Sequence, residues 1–225
     1  MSLSVKLASA LIAALAVIAV LRWATVQAPP AADAVHAAFT AYKQAVLASD
    51  GETAAAWLSA GTIEWYGRVQ HLVLHARREE VERLSAVEKL EVLAFRQRMT
   101  PDELRRLSPR ALVAHAVTHG WVNKHQMQRT DIGEATITGE VAVASLVFDG
   151  RPTDRQQRFV AENGQWRFDQ LPALAAVDEN IRSAAALRRL NEDQLIVLMI
   201  ESATGRKMGA EVWDPPIGSA TPVPP

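Results

Sequence analysis

Cysteine is absent from the 225 residues. That excludes disulfides, thiolate metal ligands and a cysteine nucleophile. It leaves the redox compartment open, because a chain of this length can bury a core that needs no cross-links. An excess of charge of either sign is missing too, with 24 Lys and Arg against 25 Asp and Glu. Nothing in that balance points to nucleic acid or to another polyanion. There is no nucleotide-binding glycine loop, no Gly-x-Ser-x-Gly and no His-Glu-x-x-His. These absences argue against NTPase, serine-hydrolase and zincin chemistry. No internal repeat is visible.

One long apolar run is present. Leu7 to Leu21 carries no charge, with Lys6 before it and Arg22 and Trp23 after it. It reads either as a signal peptide or as a short membrane anchor reaching from Leu3 to Trp23. Val26-Gln27-Ala28 resembles a cleavage site, but Pro29 follows at once and disfavours cleavage. Trp23 and Arg22 suit a membrane interface. The expectation is therefore an uncleaved, single-pass anchor over 1–23 in the inner membrane, with the globular part outside the cytoplasm. Residues 24–32 then form a short proline-stiffened linker.

Beyond it, Val35, Ala38, Phe39, Tyr42, Ala45 and Val46 recur at helical spacing, which predicts a helix over 33–49. A short helix over 52–58 carries Trp57. Residues 61–67 are bracketed by glycines and rich in β-formers, so a short strand is expected. Residues 69–119 are helical, with capping boxes at Ser85-x-x-Glu88 and Thr100-x-x-Glu103 and a further start at Ser108-Pro109. Residues 121–127 read as another strand.

The stretch 131–171 reads as consecutive strands. Apolar or small residues on both alternating faces of 140–148 predict a central strand covered on both sides. Asn163-Gly164 predicts a tight hairpin, and the next strand carries Trp166 and Phe168 on one face, Arg167 and Asp169 on the other. Helices return over 172–208, the last of them over 192–203. Residues 209–225 hold five of the 11 prolines and read as a disordered or bound arm in which Trp213 docks.

The helix with Phe39 and Tyr42, the Ser49-Asp50-Gly51 stop and the segment Gly164-Gln165-Trp166-Arg167-Phe168-Asp169 resemble the nuclear-transport-factor-2-like superfamily over about residues 33–170. The resemblance implies an α+β fold, with a curved antiparallel sheet wrapped around helices as a cone with an apolar cavity. To this the chain adds the N-terminal transmembrane helix, a helical insertion over 69–119 and extra C-terminal helices. The superfamily holds isomerases and dehydratases as well as modules without catalysis.

If that fold holds, Phe39, Tyr42, Trp65, Tyr66, Trp121 and His125 are the residues expected to line the pocket. The acids nearest in sequence are Glu64 and Asp131, and no acid–base pair is visible by spacing. His71/His75 and His115/His119 have the i, i+4 spacing a metal needs, but no acidic ligand shares it, and a solvated face explains the first pair better. Arg96, Arg98, Arg105, Arg106 and Arg110 are read as a solvated helix face rather than a membrane or partner patch. No catalytic residue, cofactor, metal site or nucleic-acid partner is assigned. Two functions remain. One is a membrane-anchored, non-catalytic binding or assembly module, with a partner or self-association through helix 192–203. The other is a small-molecule enzyme or carrier using the apolar pocket.

Overall fold

The computed structural model describes residues 31–216. Helix α1, Ala31–Ala48, buries the expected stripe in full: Val35, Ala38, Phe39, Tyr42, Ala45 and Val46. Ser49 turns the chain with a left-handed φ of 59°. The Asp50 carboxylate then accepts from the Thr53 N–H and caps α2, Gly51–Ala56.

The strand expected over 61–67 is instead the start of α3, Ala60–His75. The Ser59 hydroxyl accepts from the Thr62 N–H, and Trp65, Val69 and Val73 fall every four residues along a buried stripe. That cap and that spacing override the β-preference of Thr62, Ile63 and Trp65. The helical region continues through α4 (Arg78–Val81), α5 (Ala86–Arg98), α6 (Pro101–Arg106) and α7 (Pro109–Thr118). The Ser85/Glu88 and Thr100/Glu103 capping boxes both form. The strand expected over 121–127 is also absent. Asn123 accepts from the Gln126 N–H and opens a short helix, α8, Lys124–Arg129.

Four strands follow in sequence order: β1 (Thr130–Thr138), β2 (Val141–Phe148), β3 (Arg151–Glu162) and β4 (Gln165–Asp169). Each is antiparallel to the next. Asn163 and Gly164 both take positive φ, as the hairpin requires. With two expected strands turned to helix, the sheet is a four-stranded meander, open at β1 and β4. It does not curl into the cone expected from the sequence. β2 is central, yet only Ala142 and Ala144 are buried; Val141, Val143 and Val147 on its other face are half-buried. The expected cover on both sides is thus corrected to full burial of Ala142 and Ala144 alone, on one face.

On that face Phe159 and Phe168 sit opposite each other, and Phe39 from α1 meets both rings edge-on. Trp166 is half-buried at the margin. Asp169 does not point to solvent. It is buried, pairs with Arg158 at 3.1 Å, accepts from the Leu171 N–H, and lies 3.4 Å from the Ser59 and Thr62 hydroxyls. One carboxylate thereby joins the end of β4 to the start of α3 and to α9, Leu171–Arg188.

The described residues form two hydrophobic cores. One lies between α1, α2, α7 and the sheet. The other is all-helical, built from α3–α7, α9 and α10 (Glu192–Thr204). α7 serves both, giving Leu112 to the helical core and Val113, Ala114 and Val117 to the sheet core. Arg96 fastens the helical core to the C-terminal segment. Its guanidinium donates to the carbonyls of Leu72, Val73, Ala76, Val212 and Trp213. The arm is thus docked through the 3-10 turn Ala210–Trp213, with Val212 more deeply buried than the expected Trp213.

The reading as a single-pass inner-membrane protein is corrected. No helix among the described residues is long and apolar enough to cross a membrane, and the 1–23 segment on which that reading and the membrane contact rested lies outside them. Residues 24–30 and 217–225 lie outside them as well. Helix α10 turns Leu195, Ile196 and Ile200 into the protein's own core, leaving Leu198 and Met199 as its exposed large apolar side chains.

Candidate functional site

A cavity of about 840 Å³ lies at the junction of the two cores. Its walls come from α1, α3, α5, α7, α9, α10 and the sheet. Of the aromatic residues expected at a pocket, Phe39, Tyr42, Tyr66 and Trp121 line it. Trp65 does not: it is buried in the helical core, edge-on to Tyr66 at 4.9 Å. His125 does not either, since it lies exposed on α8. Glu64 and Asp131 are both exposed and stand outside the cavity, Asp131 facing Lys43 at 3.6 Å.

Two acids line the cavity, the exposed Asp154 of β3 and the more buried Glu91 of α5. This helix buries Val87, Val92, Leu93, Ala94 and Phe95, and the charged Lys89 with them. Glu91 retains some exposed surface, but it faces the cavity, and protein surrounds it. Among the described residues its oxygens receive no hydrogen bond. Burial raises its pKa from 4.5 to about 7, against the opposing pull of Arg98. It is therefore close to half-protonated at neutral pH.

Two phenols share the space. Burial pushes Tyr66 well above its ordinary range, with the Glu91 charge and Tyr42 adding to the shift. Burial likewise raises Tyr42 to about 12, partly offset by its 2.9 Å hydrogen bond from the Gln170 amide. Both phenols stay neutral and can donate or accept. Gln157 of β3, buried at the register position opposite Ala144, adds an amide to the lining.

Arg98, two turns beyond Glu91 on α5, stands at one edge of the cavity with its guanidinium 4.9 Å above the Trp121 ring. Trp121 also packs on Phe95 and His115. On the far side of Arg98 and Trp121 a second, more polar groove is lined by Glu103, His115, His119 and Arg206. The two imidazoles stack at 3.8 Å, and His119 Nδ1 lies 2.8 Å from the His115 carbonyl oxygen. Burial, and then the neighbouring His119, hold the His115 pKa below the ordinary histidine value. Among the described residues no group of three or more metal-ligating side chains comes together.

The arginines expected on one solvated face are dispersed. Arg96 is a buried joint with its pKa lowered by burial to about 10. Arg98 edges the cavity, and the exposed Arg110 at the start of α7 donates to the Ala55 carbonyl of α2. Arg105 and Arg106 keep to the surface of α6.

No family model matches the chain, and no curated protein or solved structure matches it. The resemblance to the nuclear-transport-factor-2-like superfamily is corrected accordingly. Its carriers were the Phe39/Tyr42 helix and the Trp-Arg-Phe-Asp strand, both of which any helix packed on an antiparallel sheet could use. The four-stranded open meander lacks the cone that the resemblance implied.

Proposed function

We propose that this domain is a non-catalytic binding module for a small, mostly apolar molecule held between the two cores. The observation that carries this reading is the cavity. Its volume, about 840 Å³, lies in the range of ligand pockets. Protein interiors are otherwise packed with few voids larger than a water molecule. Apolar side chains from both cores would supply affinity. Glu91, Tyr66 and Gln157 would supply orientation, since each turns hydrogen-bonding capacity toward the space.

A second reading is a small-molecule enzyme in which Glu91 exchanges a proton with the ligand. Its support is the near-neutral pKa of that group. It ranks second because the phenols beside Glu91 are made very weak acids by burial and, among the described residues, no histidine lines the cavity.

The test uses N-phenyl-1-naphthylamine, a neutral dye that brightens in apolar surroundings. Wild-type protein should give saturable, single-site enhancement. Ala116→Trp, which fills the cavity from α7, should lose the enhancement while keeping its circular dichroism. Absence of saturable enhancement in folded wild-type protein would refute the binding reading.

A further inference from the structure

The cavity and the polar groove are not separate features. Both are lined by Arg98, Trp121, Asn123 and Ala203, so one opens beside the other across a shared rim. The two compartments differ in chemistry. The cavity is walled mostly by apolar side chains such as Phe39, Phe95 and Val117. The groove gathers two guanidinium groups and two imidazoles against one carboxylate.

That carboxylate, Glu103, is already engaged, accepting from the Thr100 N–H and hydroxyl at 2.7 Å each. Arg98 has no carboxylate within salt-bridge distance among the described residues; its guanidinium is held by the face of Trp121 instead. Arg206 donates to the Gln97 carbonyl next to it in the chain, which holds the second guanidinium beside the first. The proximity is energetically unfavourable. Arg98 is pushed below its ordinary pKa by burial; the Glu91 charge opposes that shift and, less strongly, Arg206 adds to it. Glu91 does not line the groove, where two guanidinium groups face the single, already engaged carboxylate of Glu103 and favour an anion between them.

We propose that the ligand is an amphipathic anion: its apolar body fills the cavity, and its oxyanion group lies in the groove between Arg98 and Arg206, within reach of His115 and His119. This rests on the cavity-binding reading above. A planar carboxylate and a tetrahedral phosphate monoester share the chemistry that a pair of guanidinium groups recognises. An anion placed here lies on the groove side of Arg98, whereas Glu91 lines the cavity side.

The experiment is displacement of N-phenyl-1-naphthylamine from the folded protein by decanoate, decyl phosphate and decanol, three ligands with one tail. The anionic ligands should displace the dye at concentrations about tenfold or more below decanol. The stronger of the two anions identifies the headgroup. Arg98→Gln and Arg206→Gln should each narrow that gap, and added salt should narrow it further. Arg105→Gln, on the outer surface of α6, should leave it unchanged. Equal displacement by decanol and both anions would overturn the proposal while leaving the cavity reading intact. So would a gap that neither arginine substitution alters. If the dye itself fails to bind the wild-type protein, both readings fall together.

Discussion

Glu91→Gln isolates the energetic cost of the buried acid. In the unfolded chain this carboxyl titrates near 4.5, and in the folded protein near 7. A folded-state pKa above the unfolded one means that the native protein prefers the protonated form. The group therefore costs the fold nothing at a pH below 4.5. As the pH rises from there through 7, the unfolded state releases its proton first and stability falls. Above 7 the loss is complete and levels off at about 3 kcal/mol. Gln keeps the shape and the hydrogen-bonding capacity but cannot ionise. The variant and the wild type should have nearly equal unfolding free energies at a pH of about 4.5, and the variant should be more stable by about 3 kcal/mol at a pH of about 8. Urea denaturation followed by tryptophan fluorescence, repeated across that window, measures the difference directly. The comparison cancels the exposed carboxylates with lowered pKa, such as Glu103, Asp149 and Asp214, whose contributions run in the opposite sense and are common to both proteins. A difference that stays flat between those two pH values would refute the placement of Glu91 in a water-poor cavity.

Other perturbations address the scaffold. Arg96→Met removes the donor shared by five carbonyls. It should destabilise the domain by about 3 kcal/mol, and hydrogen exchange at residues 210–213 should accelerate; unchanged protection there would contradict the joint. Phe168→Ala should cost about 3–5 kcal/mol, because its ring meets Phe39, Tyr42 and Phe159. Trp166→Ala, at the half-buried margin, should cost less, and the reverse order in melting temperature would show the sheet core centred elsewhere. Gly51→Ala would drive a Cβ into the Ala114 carbonyl where α2 crosses α7. It should destabilise by about 1–3 kcal/mol, and an unchanged urea midpoint would mean that the two helices can part freely.

The local rules of the chain were legible without a structure. The α1 stripe, the Ser85 and Thr100 capping boxes and the Asn163-Gly164 turn each depend on a few neighbouring residues, and each formed. Helix or strand was misread where β-forming residues sat inside a helix. At 61–67 the Ser59 cap and the Trp65–Val69–Val73 spacing decided the matter, and at 121–127 the Asn123 cap did. Those two segments removed two strands from the sheet, and with them the cone. The site depended on contacts distant in sequence. Phe39, Tyr66 and Trp121 were visible as aromatic residues, but whether they converge is set by how two cores meet across α7. Glu91 illustrates the limit most clearly. Sequence alone placed it in the helical stretch 69–119 among other charged residues of both signs. Only the packing of α5 against α3, α9 and α10 determined that its carboxylate would face a partly open cleft, where burial and not a hydrogen-bonding partner raises its pKa.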